Sequence, residues 1–433
     1  MNIAFIRSGC RRTLLGLALT GLYGIAQAQN AVPLHFAEYL SAVEQSSIDY
    51  AAQRQNVVAA RAGIDLAGVR PDPQLSFGTS RELARESKPT ATRPNTLGLS
   101  QTIETAGKRG RRIDAAKADL RLAETGLSDY FYGLSSDALD AFVTLIQARE
   151  TYARKELSHK ALLDVVAANE TRLKAGAIGR LELSQSILEA QRYGKDVEKA
   201  RADLAGAEAR LSVPLGARFA ERFAGRRPDA ELAELTELPP AETLIERASQ
   251  KRSDVVLAKS ALESARSKLD LTKANRWVDV DVGVSMTSTA PVENVSERSR
   301  ILGLSVSVPI PLSRLQQGDI VQASAAVTQA ELGLSSTLNR VKADVETAVA
   351  QYRSALNVVQ TYRSTTLAEN KRVLEGFRIS YQKGAASLLE LLNAQRTADD
   401  TYLDYLDALA TYARAKAQIQ ISVGERPDLE AGF

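Results

Sequence analysis

The chain has 433 residues, 44% hydrophobic and 25% charged, with 55 basic against 52 acidic side chains, two histidines and one cysteine. Cys10 falls in a leader that is removed, which excludes disulfides, cysteine metal sites and thiol catalysis from the mature protein. His35, His159 and Met286 are too few for dense soft-metal coordination, and the balanced charge leaves no footprint for nucleic acid.

Residues 1–28 read as a secretory signal peptide. Arg7, Arg11 and Arg12 form its basic region, "TLLGLALTGLYGIA" its apolar region, and "AQA" ending at Ala28 offers the small residues of a cleavage site. A lipid-anchored chain would carry its cysteine at that site, whereas Cys10 precedes the apolar region. Cleavage removes three arginines and leaves 52 basic and 52 acidic residues, so the mature chain from Gln29 is formally neutral. No later apolar run reaches the ~18 residues of a membrane-spanning helix. Any crossing must therefore be made by alternating strands.

Two repeats follow, 29–240 and 241–433. "ARAGIDLAGVRPDPQLSFG" ending at Gly78 matches "ARSKLDLTKANRWVDVDVG" ending at Gly283, and "LGLS" begins at both Leu97 and Leu302. "AETGLS" and "AELGLS" come next, then "KAGAIGRLEL" and "KGAASLLEL", in the same order. Each repeat predicts a helix (35–68 and 241–275), a strand, a charged loop, a second strand, a very long helix, a Gly-containing turn and a returning helix. The strands are "PQLSFGTS", "TLGLSQTI", "VDVDVGVSMTS" and "ILGLSVSVPI". Their period of two sets Val280, Val282 and Val284 on one face and Asp279, Asp281 and Gly283 on the other.

The long helices carry heptad rows. Ile113, Leu120, Leu127, Leu134, Ala141 and Ala148 form one, and Phe131, Ala138, Leu145 and Tyr152 a second. In the other repeat Val327, Leu334, Val341, Ala348, Ala355 and Tyr362 match the first row, and Leu338, Val345, Tyr352 and Val359 the second. Sustained heptads make neighbouring helices supercoil. A helix from Lys108 to Lys174 would run ~100 Å. Four strands cannot close a barrel, since the smallest bacterial barrels have about eight. Three chains would supply about twelve strands and a matching helical tube.

On this plan the chain resembles the TolC-type outer-membrane efflux proteins over essentially its whole mature length. "SQTIETAGKRGRRIDAA" is similar to the segment after the second strand in the Czc-type heavy-metal branch, although the counterpart "SRLQQGDI" lacks the basic cluster. Beside that likeness, residues 108–112 also read as a contact for anionic lipid or a phosphate group, or as a solvated helix start. They are not a phosphate loop, because Arg109 follows Lys108 where Ser or Thr is required.

The resemblance implies a mainly α fold with a membrane β-barrel: a homotrimer with four β-strands per chain in a shared 12-stranded barrel, continued by a long α-helical coiled-coil tunnel. It implies the channel component of a tripartite efflux system in the outer membrane of a Gram-negative bacterium. Its partners would be a periplasmic adaptor protein, an inner-membrane RND-type pump and outer-membrane lipid, and its cargo heavy-metal cations. Drug efflux, type I protein secretion and a periplasmic adaptor subunit are the competing assignments. The tips at Gly176, Ala177, Gly384 and Ala385 would dock the adaptor or pump. The family's acidic constriction falls on Glu390 and Asn393, with Glu182 and Gln185 as counterparts in the first repeat; Asn393 departs from the acidic pattern. The bland alternative for both glutamates is a first-turn residue favoured by the helix dipole. No GxSxG, HExxH, GxGxxG or histidine pair at ligand spacing is present, so no catalysis and no cofactor is expected.

Overall fold

The computed structural model describes residues 32–81, 93–229, 238–290, 298–310 and 317–429; the expected signal peptide and most of both strand-connecting loops lie outside them. In chain order the elements are β1 (Val32–Leu34), α1 (Phe36–Ser46), α2 (Ile48–Gly68), β2 (Gln74–Thr79), β3 (Pro94–Ile103), α3 (Lys108–Lys174) and α4 (Arg180–Leu215). The short α5 (Phe219–Arg222) and β4 (Arg226–Pro228) lead to α6 (Ala241–Lys251), α7 (Ser253–Asn275), β5 (Val280–Thr289) and β6 (Ser299–Ser307). The chain ends with α8 (Gln317–Thr361), a π-helical turn (Tyr362–Thr366), α9 (Leu367–Gln382) and α10 (Leu388–Ser422). Among the described residues no helix is long and apolar enough to cross a membrane.

Two expected helices are broken. The segment 35–68 divides at Ser47 and 241–275 at Arg252, each with one extended residue between helices. Ser47 caps α2, its side chain accepting from the Tyr50 N–H, and the end of a returning helix packs against each break. Returning α4 ends at Gly216, where an added Cβ would lie 2.8 Å from the Ser46 carbonyl oxygen, and Gly424, just beyond α10, would put one 2.8 Å from the Lys251 carbonyl. Both glycines have positive φ, which other residues adopt only at a cost. The pairing of β1 with β4 was not foreseen; it is parallel and only three residues long.

The four longer strands form one antiparallel sheet in the order β2-β3-β5-β6, so β3 and β5 meet at its centre. The register aligns Leu75, Leu99, Val284 and Leu304 in one row and Phe77, Leu97, Met286 and Leu302 in the next. These side chains are exposed in the single chain. The opposite face is mostly Ser, Thr and Gly, with Gln74, Asp281 and Ile301 among them. Gly98 stands opposite Ser76 and Ser285, and Gly283 opposite Ser100 and Ser305. The outer strands β2 and β6 each keep an unpaired edge, a row of backbone donors and acceptors that needs a further strand.

The basic stretch 108–112 is satisfied within the chain. Lys108, 8% exposed, pairs with Asp279 at 2.8 Å. Arg109 donates to the Gly68 carbonyl at 2.7 Å, Arg111 faces Asp270, and Arg112 grips Glu104 while donating to the Ala67 and Val69 carbonyls. Cations at the C-terminus of α2 complement its dipole. They lock the step from strand to long helix.

Below the sheet, one core joins Phe36, Tyr39 and Val43 of α1 to Phe142 and Leu145 of α3, Leu211 of α4 and Ala413 of α10. A second joins Leu244 of α6 and Val255 of α7 to Val341, Val345, Tyr352 and Val359 of α8 and Tyr412 of α10. Helix α10 contributes to both, so the second hairpin is packed against the first. The heptad rows of α8 are buried from Val341 onward, whereas Leu338, nearer the sheet, is 37% exposed and Leu334 only partly buried.

Candidate functional site

Both helical hairpins turn at the end away from the sheet, with the same geometry. After α3, the Ala177 N–H reaches the Arg172 carbonyl at 2.9 Å and the Gly176 N–H the Leu173 carbonyl at 2.9 Å; after α9, Ala385 reaches Ser380 at 2.8 Å and Gly384 reaches Tyr381 at 3.0 Å. This Schellman arrangement needs a left-handed residue, supplied by Gly176 (φ +71) and Gly384 (φ +73). Gly176, Ala177, Gly384 and Ala385 are all exposed, as a docking tip requires.

The four constriction candidates have different surroundings. Glu390 is exposed and completes a capping box: its carboxylate accepts from the Ser387 N–H at 2.8 Å, while the Glu390 N–H donates to Ser387 Oγ at 3.3 Å. The Ser387 N–H, with the Ser387 hydroxyl, holds the Glu390 carboxyl below its usual range. Asn393 and Gln185 are exposed. Glu182 is half-buried and lies 3.1 Å from the Tyr381 hydroxyl, which also donates to Asn169 Oδ1 at 2.6 Å. The Arg172 guanidinium sits 4.8 Å from the centre of the Tyr381 ring. Burial raises the Tyr381 pKa, so the phenol stays a donor.

This cluster ties α9 of the second hairpin to α3 and α4 of the first. Asn169 is fully buried and its Nδ2 has no partner, as has Nη1 of Arg172. Sequence reasoning missed it, although a signal existed: the row Ala141, Ala148 continues in sevens to Lys155, Leu162 and Asn169, where a polar residue stands on a core position.

A second buried polar hub lies three turns further from the tip. Asp399 of α10 is 1% exposed and accepts from Arg154 Nε at 2.9 Å, Ser158 Oγ at 2.6 Å and Gln395 Nε2 at 3.1 Å. The Arg154 guanidinium also lies 4.8 Å from the centre of the Tyr402 ring. Burial, with the Asp399 charge added, pushes the Tyr193 phenol above its usual pKa. The π-helical turn is placed next to this level, with Tyr362 against Tyr405. Among the described residues no group of three or more His, Cys, Asp and Glu could hold a metal ion.

Comparison with known proteins gives these features a context. The model of the family described as "Outer membrane efflux protein" matches residues 39–217 and 244–425. The chain is 23% identical over 410 residues to the cobalt-zinc-cadmium resistance protein CzcC of Cupriavidus metallidurans, covering 94% of this chain and 93% of that protein. It is 25% identical over 290 residues to the cation efflux system protein CusC of Escherichia coli, covering 65% of this chain and 60% of that one. A crystal structure of CusC superposes with a TM-score of 0.73 at 19% identity, covering 92% of this chain and 96% of that chain.

Proposed function

The chain belongs to the outer membrane efflux protein family, and from that premise we propose that three copies close one 12-stranded barrel and one helical tube that carry heavy-metal cations across the periplasm and outer membrane. That it is an outer-membrane efflux channel follows from the family and from the fold it shares with CusC. The observation that carries the trimer is the sheet: four strands, an apolar outer face and two unpaired edges. A neighbouring copy pairs its β2 with β6 and covers the exposed upper part of α8. The cargo rests on the likeness to CzcC over nearly its whole length. The channel performs no catalysis and takes no cofactor. Selection belongs to an inner-membrane RND-type pump, reached through a periplasmic adaptor that meets the tips at Ala177 and Ala385.

Deleting the gene tests the cargo. Cells lacking it are expected to accumulate cobalt, zinc or cadmium and to become sensitive to them, with complementation by the intact chain. Sensitivity to drugs with unchanged metal tolerance would favour drug efflux instead.

Glu390 and Glu182 are proposed to set cation preference at the mouth. The capping box holds Glu390 ionised at the start of α10, and three copies would bring six glutamates towards one level. Screening over ~8 Å at physiological salt makes the effect strongest at low ionic strength. In planar bilayers under a salt gradient, Glu390→Gln should move the reversal potential toward zero, and adding Glu182→Gln should move it further. An unchanged potential in the double variant would leave Glu390 as a helix cap and Glu182 as a partner of Tyr381.

A further inference from the structure

The hairpin ends of the sheet carry arginines in a pattern that the channel reading does not use. Arg81 follows β2, Arg93 precedes β3, and Arg298 and Arg300 stand at the start of β6. All four are exposed. Their place in the alternation is specific: Arg81 continues Leu75, Phe77 and Thr79; Arg93 continues Leu99, Leu97 and Asn95; Arg298 and Arg300 continue Leu304 and Leu302. Every one belongs to the apolar face and none to the Ser/Gly face. Among the described residues of this end no acidic side chain accompanies them. By sequence, the two hairpin ends from Ser80 to Arg93 and from Ala290 to Arg300 hold six basic and four acidic residues, so the loops do not reverse the sign.

The spacing fits a membrane boundary. From Val280, level with Ile103, to Ser288, level with Arg300, β5 advances eight residues. That is roughly 27 Å along the strand, or about 20 Å across the bilayer at the usual tilt of barrel strands; the row of Arg298 adds about 5 Å. An outer-membrane apolar band is about 25 Å tall. At the other boundary Trp277, 68% exposed, precedes β5 where an interfacial tryptophan is favoured. A guanidinium just above the apolar rows reaches outward along its own stem and meets phosphate as a planar fork.

We propose that Arg81, Arg93, Arg298 and Arg300 form a rim on the lipid side of the barrel that binds the phosphate groups of outer-leaflet lipid A. The inference rests on the sheet being the wall of an outer-membrane barrel. Free phosphate is not the ligand, because the arginines continue the lipid-facing rows and not the lumen-facing ones. Three copies would set twelve guanidinium groups around the rim.

The test uses the full mature chain reconstituted in phosphatidylcholine vesicles with and without lipid A, reading the lipid A that remains bound after washing. The wild-type protein should retain it, and R81Q/R93Q/R298Q/R300Q should retain at least about tenfold less. The matching fourfold lysine variant, which keeps the charge, should retain most of it. Should the fourfold glutamine variant fail to fold, R300Q alone should show about a threefold loss. Millimolar inorganic phosphate should leave the bound lipid in place. Equal retention by the glutamine variants, displacement by inorganic phosphate, or no preference for lipid A over phosphatidylcholine overturns the proposal. Conductance in phosphatidylcholine alone keeps the two readings apart: pores without lipid A retention overturn only the rim, while absence of pores counts against the barrel.

Discussion

A chain carrying Val284→Asp should be exported yet yield no heat-modifiable trimer, while Thr287→Asp assembles. Val284 is level with Leu75, Leu99 and Leu304, the middle of the apolar face, and all four side chains are exposed in the single chain. A carboxylate there loses water without gaining a partner, at about 2 kcal/mol per copy, or about 6 kcal/mol over three copies. That is comparable with the whole stability of a domain. Thr287 lies on the other face, where its hydroxyl is 2.9 Å from that of Thr96, so a carboxylate there keeps a hydrogen-bond partner and a wet surface. Unheated electrophoresis of membrane extracts separates the outcomes; equal trimer from both variants would show that the valine face does not meet lipid. Gly283 looks like the natural control by alternation alone. It is a poor one, because an added Cβ would stand 2.7 Å from Ser305 Oγ and 3.4 Å from Ser100 Cβ. A defect there would report crowding and not polarity.

The contrast between Val284 and Gly283 shows what kind of information the sequence carries. Periodicity assigns a residue to a face, so the strands and both heptad rows were legible, and α3 has the bounds that the basic stretch and Gly176 mark out. Periodicity says nothing about what lies across a gap. The breaks at Ser47 and Arg252 are where the ends of α4 and α10, far away in sequence, come close; of the two, only Ser47, which caps α2, offers a local signal. The stretch 108–112 reads as a patch for anions because its partners are remote: backbone carbonyls of α2, with Asp270 and Asp279. The role of Glu390 was open between channel mouth and helix start, and one chain can display only the second. Tyr381 and Asp399 went unnoticed because polar residues on long helices usually face water. Only continuation of the rows, with Asp399 in sevens between Leu392 and Leu406, marks it as buried.

Asp399→Ala should be the most damaging single change in the helical part of the chain. The carboxylate accepts hydrogen bonds from Arg154 Nε, Ser158 and Gln395, and Arg154 Nη2 lies 2.7 Å from it as well. Removing it leaves Arg154, whose side chain is only 20% exposed, without its counter-charge. Breaking a buried pair from one side costs about 3 kcal/mol or more, chiefly for the charge left behind. Replacing both partners with apolar residues, as in Arg154→Met with Asp399→Leu, removes that charge and should recover most of the loss. Thermal unfolding of the purified protein measures both, and a double variant no more stable than Asp399→Ala would show that loss of packing, not an orphaned charge, is the cause. The consequence extends to the channel. Asp399 joins α10 to α3 on the tip side of the π-helical turn, which packs at Tyr405 on the other arm of the same hairpin, so it fixes the second hairpin to the first above the Tyr381 contacts. Without it the tip is held by the Tyr381 cluster, the Arg396–Glu189 pair at 2.8 Å and the apolar contacts of Leu388, Leu391 and Leu392, and the single variant should conduct more, with more frequent openings, than the double variant in which the two helices pack without charge.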